Sequence, residues 1–130
     1  MALAYSTALR TTRMDAITTA IGSSGLLRIY DGSRPASGGA ATTLLAELAL
    51  TATAAPGAAS GVLTFSAISN DASSNATGTA TWFRVVTSGG TFVIDGSIGT
   101  SGSDLNVTTT SVVTGSPFQV TSFVITEGNP

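Results

Sequence analysis

The sequence predicts a mainly β chain, an antiparallel β-sandwich with a jelly-roll as one candidate topology, preceded by one N-terminal α-helix. Three observations lead there. From position 26 onward, runs of β-branched, aromatic and aliphatic residues alternate with Gly, Ser, Asn and Asp clusters. Only residues 6–21 carry apolar residues at spacings of three and four. The chain has 130 residues, a positive mean hydropathy and only 9% charged positions, which suits one ordered domain over 1–130 with its β part at 26–127.

The helix is expected over 6–21, with Met14, Ile17 and Ile21 on one stripe and Leu9, Ala16 and Ala20 alongside. Ser6 can cap its start and Gly22 supplies a stop, while Arg10, Arg13 and Asp15 mark a polar margin. Strands are expected at 26–30, 43–50, 62–68, 79–86, 91–98 and 118–126, with shorter ones at 105–107 and 111–113. The 43–50 run, rich in Leu and Ala, would also suit a helical turn. Residues 80–86 and 92–98 flank Thr87-Ser88-Gly89-Gly90 and read as a hairpin. Strict alternation would put Trp82, Arg84 and Val86 on one face, and Phe92, Ile94 and Ile98 on one face of the partner. Two longer loops, 31–41 with Pro35 and 52–61 with Pro56, suit either contact surfaces or mobile connectors.

Chemically the chain is sparse. It has no histidine, cysteine or lysine, and alanine, threonine, serine and glycine fill 73 positions. Most routes to an activated nucleophile, a proton shuttle at neutral pH or a transition-metal site need one of the absent side chains. No enzymatic activity and no cofactor are therefore expected. The five cations are Arg10, Arg13, Arg28, Arg34 and Arg84, scattered against seven acids, so no basic face for nucleic acid emerges. No apolar run approaches the ~18 residues of a membrane span, and the charges at Arg10, Arg13 and Asp15 break any secretory pattern, so cytoplasmic synthesis is expected. Small side chains with few charges lose little entropy on contact, which favours a homo-oligomer.

Of the carboxylates Asp31, Glu47, Asp71, Asp95, Asp104 and Glu127, none is paired by spacing as a glycosidase would require. Asp31-Gly32-Ser33 and Asp95-Gly96-Ser97 repeat a tripeptide that reads as turn chemistry, and tight turns also account for Gly96, Gly99 and Gly102. The oxygen-rich 70–75 segment lacks the spacing of a calcium loop and reads as solvated. Asn75-Ala76-Thr77 and Asn106-Val107-Thr108 match a glycosylation sequon that has no export signal to serve it. Trp82 and Arg84, two apart, suit either a stacked pair at an interface or a core tryptophan with an arginine at its rim.

Four segments together resemble small virion structural proteins encoded in the morphogenesis modules of tailed bacteriophages and prophages. They are Met1-Ala2-Leu3-Ala4-Tyr5-Ser6-Thr7-Ala8-Leu9-Arg10, Leu27-Arg28-Ile29-Tyr30-Asp31-Gly32-Ser33-Arg34-Pro35, Thr81-Trp82-Phe83-Arg84-Val85 and residues 95–105; the ending Ser122-Phe123-Val124-Ile125-Thr126-Glu127-Gly128-Asn129 adds to the likeness. The resemblance implies a virion location and no catalytic residues. Within it, the expected role is a capsid decoration or cement protein that binds the major capsid protein and copies of itself. Arg10, Arg13, Arg34, Pro35, Pro56, Trp82 and Arg84 are the candidate subunit contacts. A tail, collar or fibre-associated subunit is the alternative, and a carbohydrate-binding module with Trp82, Tyr30 or Tyr5 as an exposed platform is a more distant one.

Overall fold

A computed structural model describes residues 4–126. Met1, Ala2 and Leu3 of the opening segment, and Glu127, Gly128 and Asn129 of the closing one, lie outside the described residues. The described residues are mainly β with one helix. Helix α1 (Thr7–Ile21) is followed by β1 (Leu26–Tyr30), β2 (Leu44–Ala49), β3 (Val62–Thr64), β4 (Gly78–Thr79), β5 (Trp82–Val86), β6 (Phe92–Gly99), β7 (Leu105–Asn106), β8 (Ser111–Val112) and β9 (Val124–Thr126). The principal sheet has the order β2-β1-β5-β6-β7, and β3-β9 and β4-β8 form two short ladders.

Helix α1 starts where Ser6 accepts a hydrogen bond from the Leu9 N–H, and stops at Gly22, whose φ of 71° few other residues adopt. Its apolar stripe is narrower than expected. Only Met14 and Ile21 are buried, with Ile17 partly so; Leu9 is 45% exposed, and Ala16 and Ala20 also face outward. The helix packs on its own domain, because Asp15 accepts a hydrogen bond from the Ala58 N–H at 2.6 Å and Thr11 one from Gly61 at 3.0 Å. The 52–61 loop is thereby docked on α1.

In the sheet, β1 pairs antiparallel with β2 and β5, and β5 with β6. The hairpin closes as its sequence expects: the Gly90 N–H donates to the Thr87 carbonyl at 2.9 Å, with Gly90 at φ 89°. One face assignment is corrected. Val85 pairs with Ile94 but Val86 with Phe92, so the bulge leaves Val93 as an extra residue and puts Phe92 on the face of Trp82, Arg84 and Val86, opposite to Ile94 and Ile98. A second bulge in β2 makes Leu45 the extra residue, which explains why this run does not alternate and yet is a strand.

The inner face of the sheet, with Leu27, Ile29, Phe83 and Val85, joins the core formed with Met14, Ile21, Leu63, Phe65 and Phe123. The Phe123 ring stacks on Phe65 at 4.5 Å and meets Phe83 edge-on at 5.1 Å, so the β3–β9 ladder is layered on β5. Several runs are shorter than expected. The 79–86 run breaks at Ala80 and Thr81, where its backbone bonds pass from Thr110 to Tyr30. In 118–126 Phe118, Val120 and Phe123 are buried, but before β9 their backbone meets only point contacts with Asp71 and Phe65. β7 runs parallel to β6, against the antiparallel expectation, through the two pairs Ile98–Leu105 and Gly99–Asn106.

Candidate contact surface

Across the outer face of the sheet, the registers align Glu47, Arg28, Arg84 and Asp95 in one row over four strands. Two arginines directly opposite each other repel. Each is balanced by an acid on its far side: Arg28 Nε lies 2.8 Å from Glu47 Oε2, and Arg84 engages Asp95 through Nε at 2.7 Å and Nη2 at 3.0 Å. The hydrogen bonds to Glu47 and Asp95 hold the Arg28 and Arg84 guanidinium groups above the ordinary arginine range, outweighing the opposing effect of burial. The Arg84 guanidinium also sits 5.2 Å from the Trp82 ring and 5.3 Å from that of Phe92.

The Arg84–Asp95 half of this row lies beneath a strap, the 31–43 connection. Trp82 Nε1 donates to the Asp31 carbonyl at 2.9 Å and Thr42 Oγ1 at 3.0 Å; Arg84 Nη2 donates to the Gly39 carbonyl at 2.8 Å; the Gly38 N–H donates to Asp95 Oδ2 at 3.3 Å. Thr42 Oγ1 donates to the Asp31 carbonyl as well. The strap is a bonded cover, not a free connector.

The candidate contacts therefore separate. Trp82 is 1% exposed and stacked on Tyr30 at 4.4 Å, and Arg84 is 9% exposed; both lie inside the chain and neither presents itself to a partner. The same burial removes Trp82 and Tyr30 as an exposed sugar platform, leaving only the partly exposed Tyr5. Arg34 is exposed on the strap, reaching the Asp95 carbonyl at 3.5 Å, with Pro35 partly covered nearby in sequence. Elsewhere, Arg10 lies against Gly61, Arg13 is placed 5.0 Å from the Tyr5 ring, and Pro56 is exposed on the loop docked to α1. The helix side thus brings together Arg10 and the 52–61 loop, while Arg34 and Pro35 belong to the opposite side of the sheet.

One expectation about loops is overturned and a second is qualified. Asp95-Gly96-Ser97 is not a turn but the middle of β6, and Gly99 ends that strand. Gly96 is required because the Phe83 ring packs over it: a Cβ there would stand 2.5 Å from Phe83 Cζ. The first copy of the tripeptide does turn, with Gly32 at φ 71°, and Gly102 turns at φ 66°. The 70–75 segment is solvated at Asn70, Ala72, Ser73 and Asn75, as expected, but it is anchored through Asp71 and Ser74. Asp71 bridges Phe118 through two backbone bonds, its Oδ2 accepts from the Glu47 N–H at 2.9 Å, and Ser74 is 3% exposed with its hydroxyl donating to the Ser116 carbonyl.

Among the described residues, every carboxylate accepts a hydrogen bond that ties two parts of the fold. Asp15 takes Ala58, Asp31 takes Thr43, Glu47 takes Arg28, Asp71 takes Glu47 and Ser73, Asp95 takes Arg84, and Asp104 takes the Ser97 N–H and hydroxyl. No group of three metal-ligating side chains occurs among them, and no described helix is long and apolar enough to cross a membrane. No family model matches the chain, and no curated protein or solved structure matches it.

Proposed function

We propose that the protein is a non-enzymatic virion structural subunit of a tailed bacteriophage, a capsid decoration protein that binds assembled heads in many copies. The observation that carries this reading is the use of its carboxylates: all six described ones stitch loops and strands together. That pattern favours a building block whose partners meet shape and small side chains. The outward face of α1, with Leu9, Thr12, Ala16 and Ala20, and the exposed Pro56 supply such a surface. The layering of β3–β9 on the main sheet supports reading the architecture as a lopsided sandwich.

The mechanism is mass action. A subunit that binds only the expanded shell lowers that shell's free energy, by about 2.7 kcal/mol per site at a hundredfold excess over Kd. Purified protein added to expanded empty heads of the cognate particle is expected to saturate at a fixed stoichiometry and raise their melting temperature. Failure to bind heads, with co-purification on tails, would replace this reading with the tail-subunit one.

A further inference from the structure

The chain closes several of its own sheet edges. The outer side of β2 is bonded by Ser69, Asp71 and Asn75, and the outer side of β3 by Ala59 at Val62. On β6, Asp104 holds the Ser97 N–H and Arg34 the Asp95 carbonyl. β9 is different. In its ladder Thr126, Ile125 and Val124 face Val62, Leu63 and Thr64, and the Phe65 N–H donates to the Phe123 carbonyl at 2.9 Å. Successive residues of an antiparallel strand turn their backbone groups to opposite sides. Phe123 and Ile125 therefore turn theirs toward β3, and Ser122, Val124 and Thr126 turn theirs away from it. The Ala59–Val62 bonds, on the far side of β3, fix the same phase.

No described residue bonds the backbone of Ser122, Val124 or Thr126. All three are exposed, Val124 at 44%, and a depression of about 200 Å³ between β9 and Leu105 and Asn106 leaves space beside them. Edges of this kind are ordinarily blunted by charge, proline or a bulge. Residues 118–126 contain no charge, no proline and no glycine, and the β3–β9 register runs without a shift. A bare edge is a surface for strand addition.

The composition of the edge points to the strand that fits it. Ser122-Phe123-Val124-Ile125-Thr126 is a palindrome in chemical class, with a hydroxyl at each end, an apolar residue inside each, and Val124 at the centre. Two such strands set antiparallel about a two-fold axis at Val124 place Val124 on Val124, Ser122 on Thr126 and Phe123 on Ile125. The Val124 pair and the Ser122–Thr126 pairs are then the hydrogen-bonded ones, and exchange the N–H and C=O groups that β3 leaves unused. Like meets like at every position, and no charge in either strand is desolvated.

We infer that β9 pairs antiparallel with β9 of a second copy of this chain, joining two β3–β9 ladders into one sheet across a two-fold axis. The inference specifies where two copies meet and does not depend on the particle reading. So short a contact gives a weak dimer.

Sedimentation of the full chain is expected to show a dimer that dissociates on dilution. The Val124 amide is expected to exchange at least about tenfold more slowly in the dimer than in the dilute monomer. Val124→Lys sets like charges opposite each other at the axis and is expected to leave a monomer with an unchanged far-UV CD spectrum. Val124→Pro, which removes an N–H that no contact within the chain uses, is expected to do the same. Leu9→Lys, at a 45% exposed position on α1, is expected to leave the dimer intact. A chain that stays monomeric to millimolar concentration, a dimer that survives both Val124 variants, a Val124 amide no slower in the dimer, or a dimer dissolved by Leu9→Lys would overturn it. Dimerisation is read without heads present, so its failure and a failure of head binding are separate results.

Discussion

At the residue scale, the most constrained positions are those where a backbone or charge has no alternative neighbour. Gly96→Ala would drive a methyl into the Phe83 ring, and overpacking of this kind costs about 1–3 kcal/mol. Urea unfolding is expected to show that loss with an unchanged slope. Asp95→Ala leaves Arg84 buried without its acid and is expected to cost about 3–5 kcal/mol, whereas breaking the more exposed Arg28–Glu47 pair costs at most about 1 kcal/mol. Because the folded arginines are held above their ordinary range, their stabilisation is complete below that range and is lost only as pH rises through the folded values. Chemical denaturation between neutral and moderately alkaline pH is therefore expected to show no loss from these two pairs. Spacing alone puts Trp82 and Arg84 on one face and allows a core tryptophan, as found, but the burial of Arg84 beside it is not legible in the sequence. It depends on a strap that meets them from some forty residues away in the chain, and on Asp95, whose Asp-Gly composition reads as a turn although the 91–98 run that holds it reads as a strand.

At the element scale, the Ser6 cap, the Gly22 stop and the Thr87–Gly90 turn were readable because each rests on local backbone geometry. Ser6→Ala is expected to lower stability by about 1 kcal/mol, measured by thermal unfolding. The bulges at Leu45 and Val93 were not readable, since an extra residue flips the alternation and only the partner strand reveals it. The same holds for Asp71 and Ser74 in the otherwise exposed 70–75 segment, whose anchoring shows only when Phe118, Ser116 and β2 are brought to them. The strap has the clearest consequence. Replacing 33–40 with a short Gly-Ser linker removes the Gly38 and Gly39 contacts, and the single tryptophan is expected to become quenchable by acrylamide, where the native protein resists quenching. A native protein whose Trp82 is already quenched freely would contradict the strap as described.

At the scale of the whole molecule, a chain without histidine, cysteine or lysine uses its described carboxylates to join a helix to a loop, a strap to a sheet and one strand to the next. What remains outward is largely alanine, threonine, serine and glycine, carried on a fold whose long connections are pinned. Such a surface offers a partner little side-chain entropy to freeze and few charges to desolvate, which is why repeated contact in an assembly suits it. Composition already pointed to that surface, while the pinning came from contacts between segments far apart in sequence. The most direct test is a reconstruction of the intact cognate particle at a resolution that traces this chain. It is expected at lattice positions on the outside of the head, with the α1 face or the 52–61 loop against a neighbour; density for the chain in the tail, or none in the particle, would contradict the proposal.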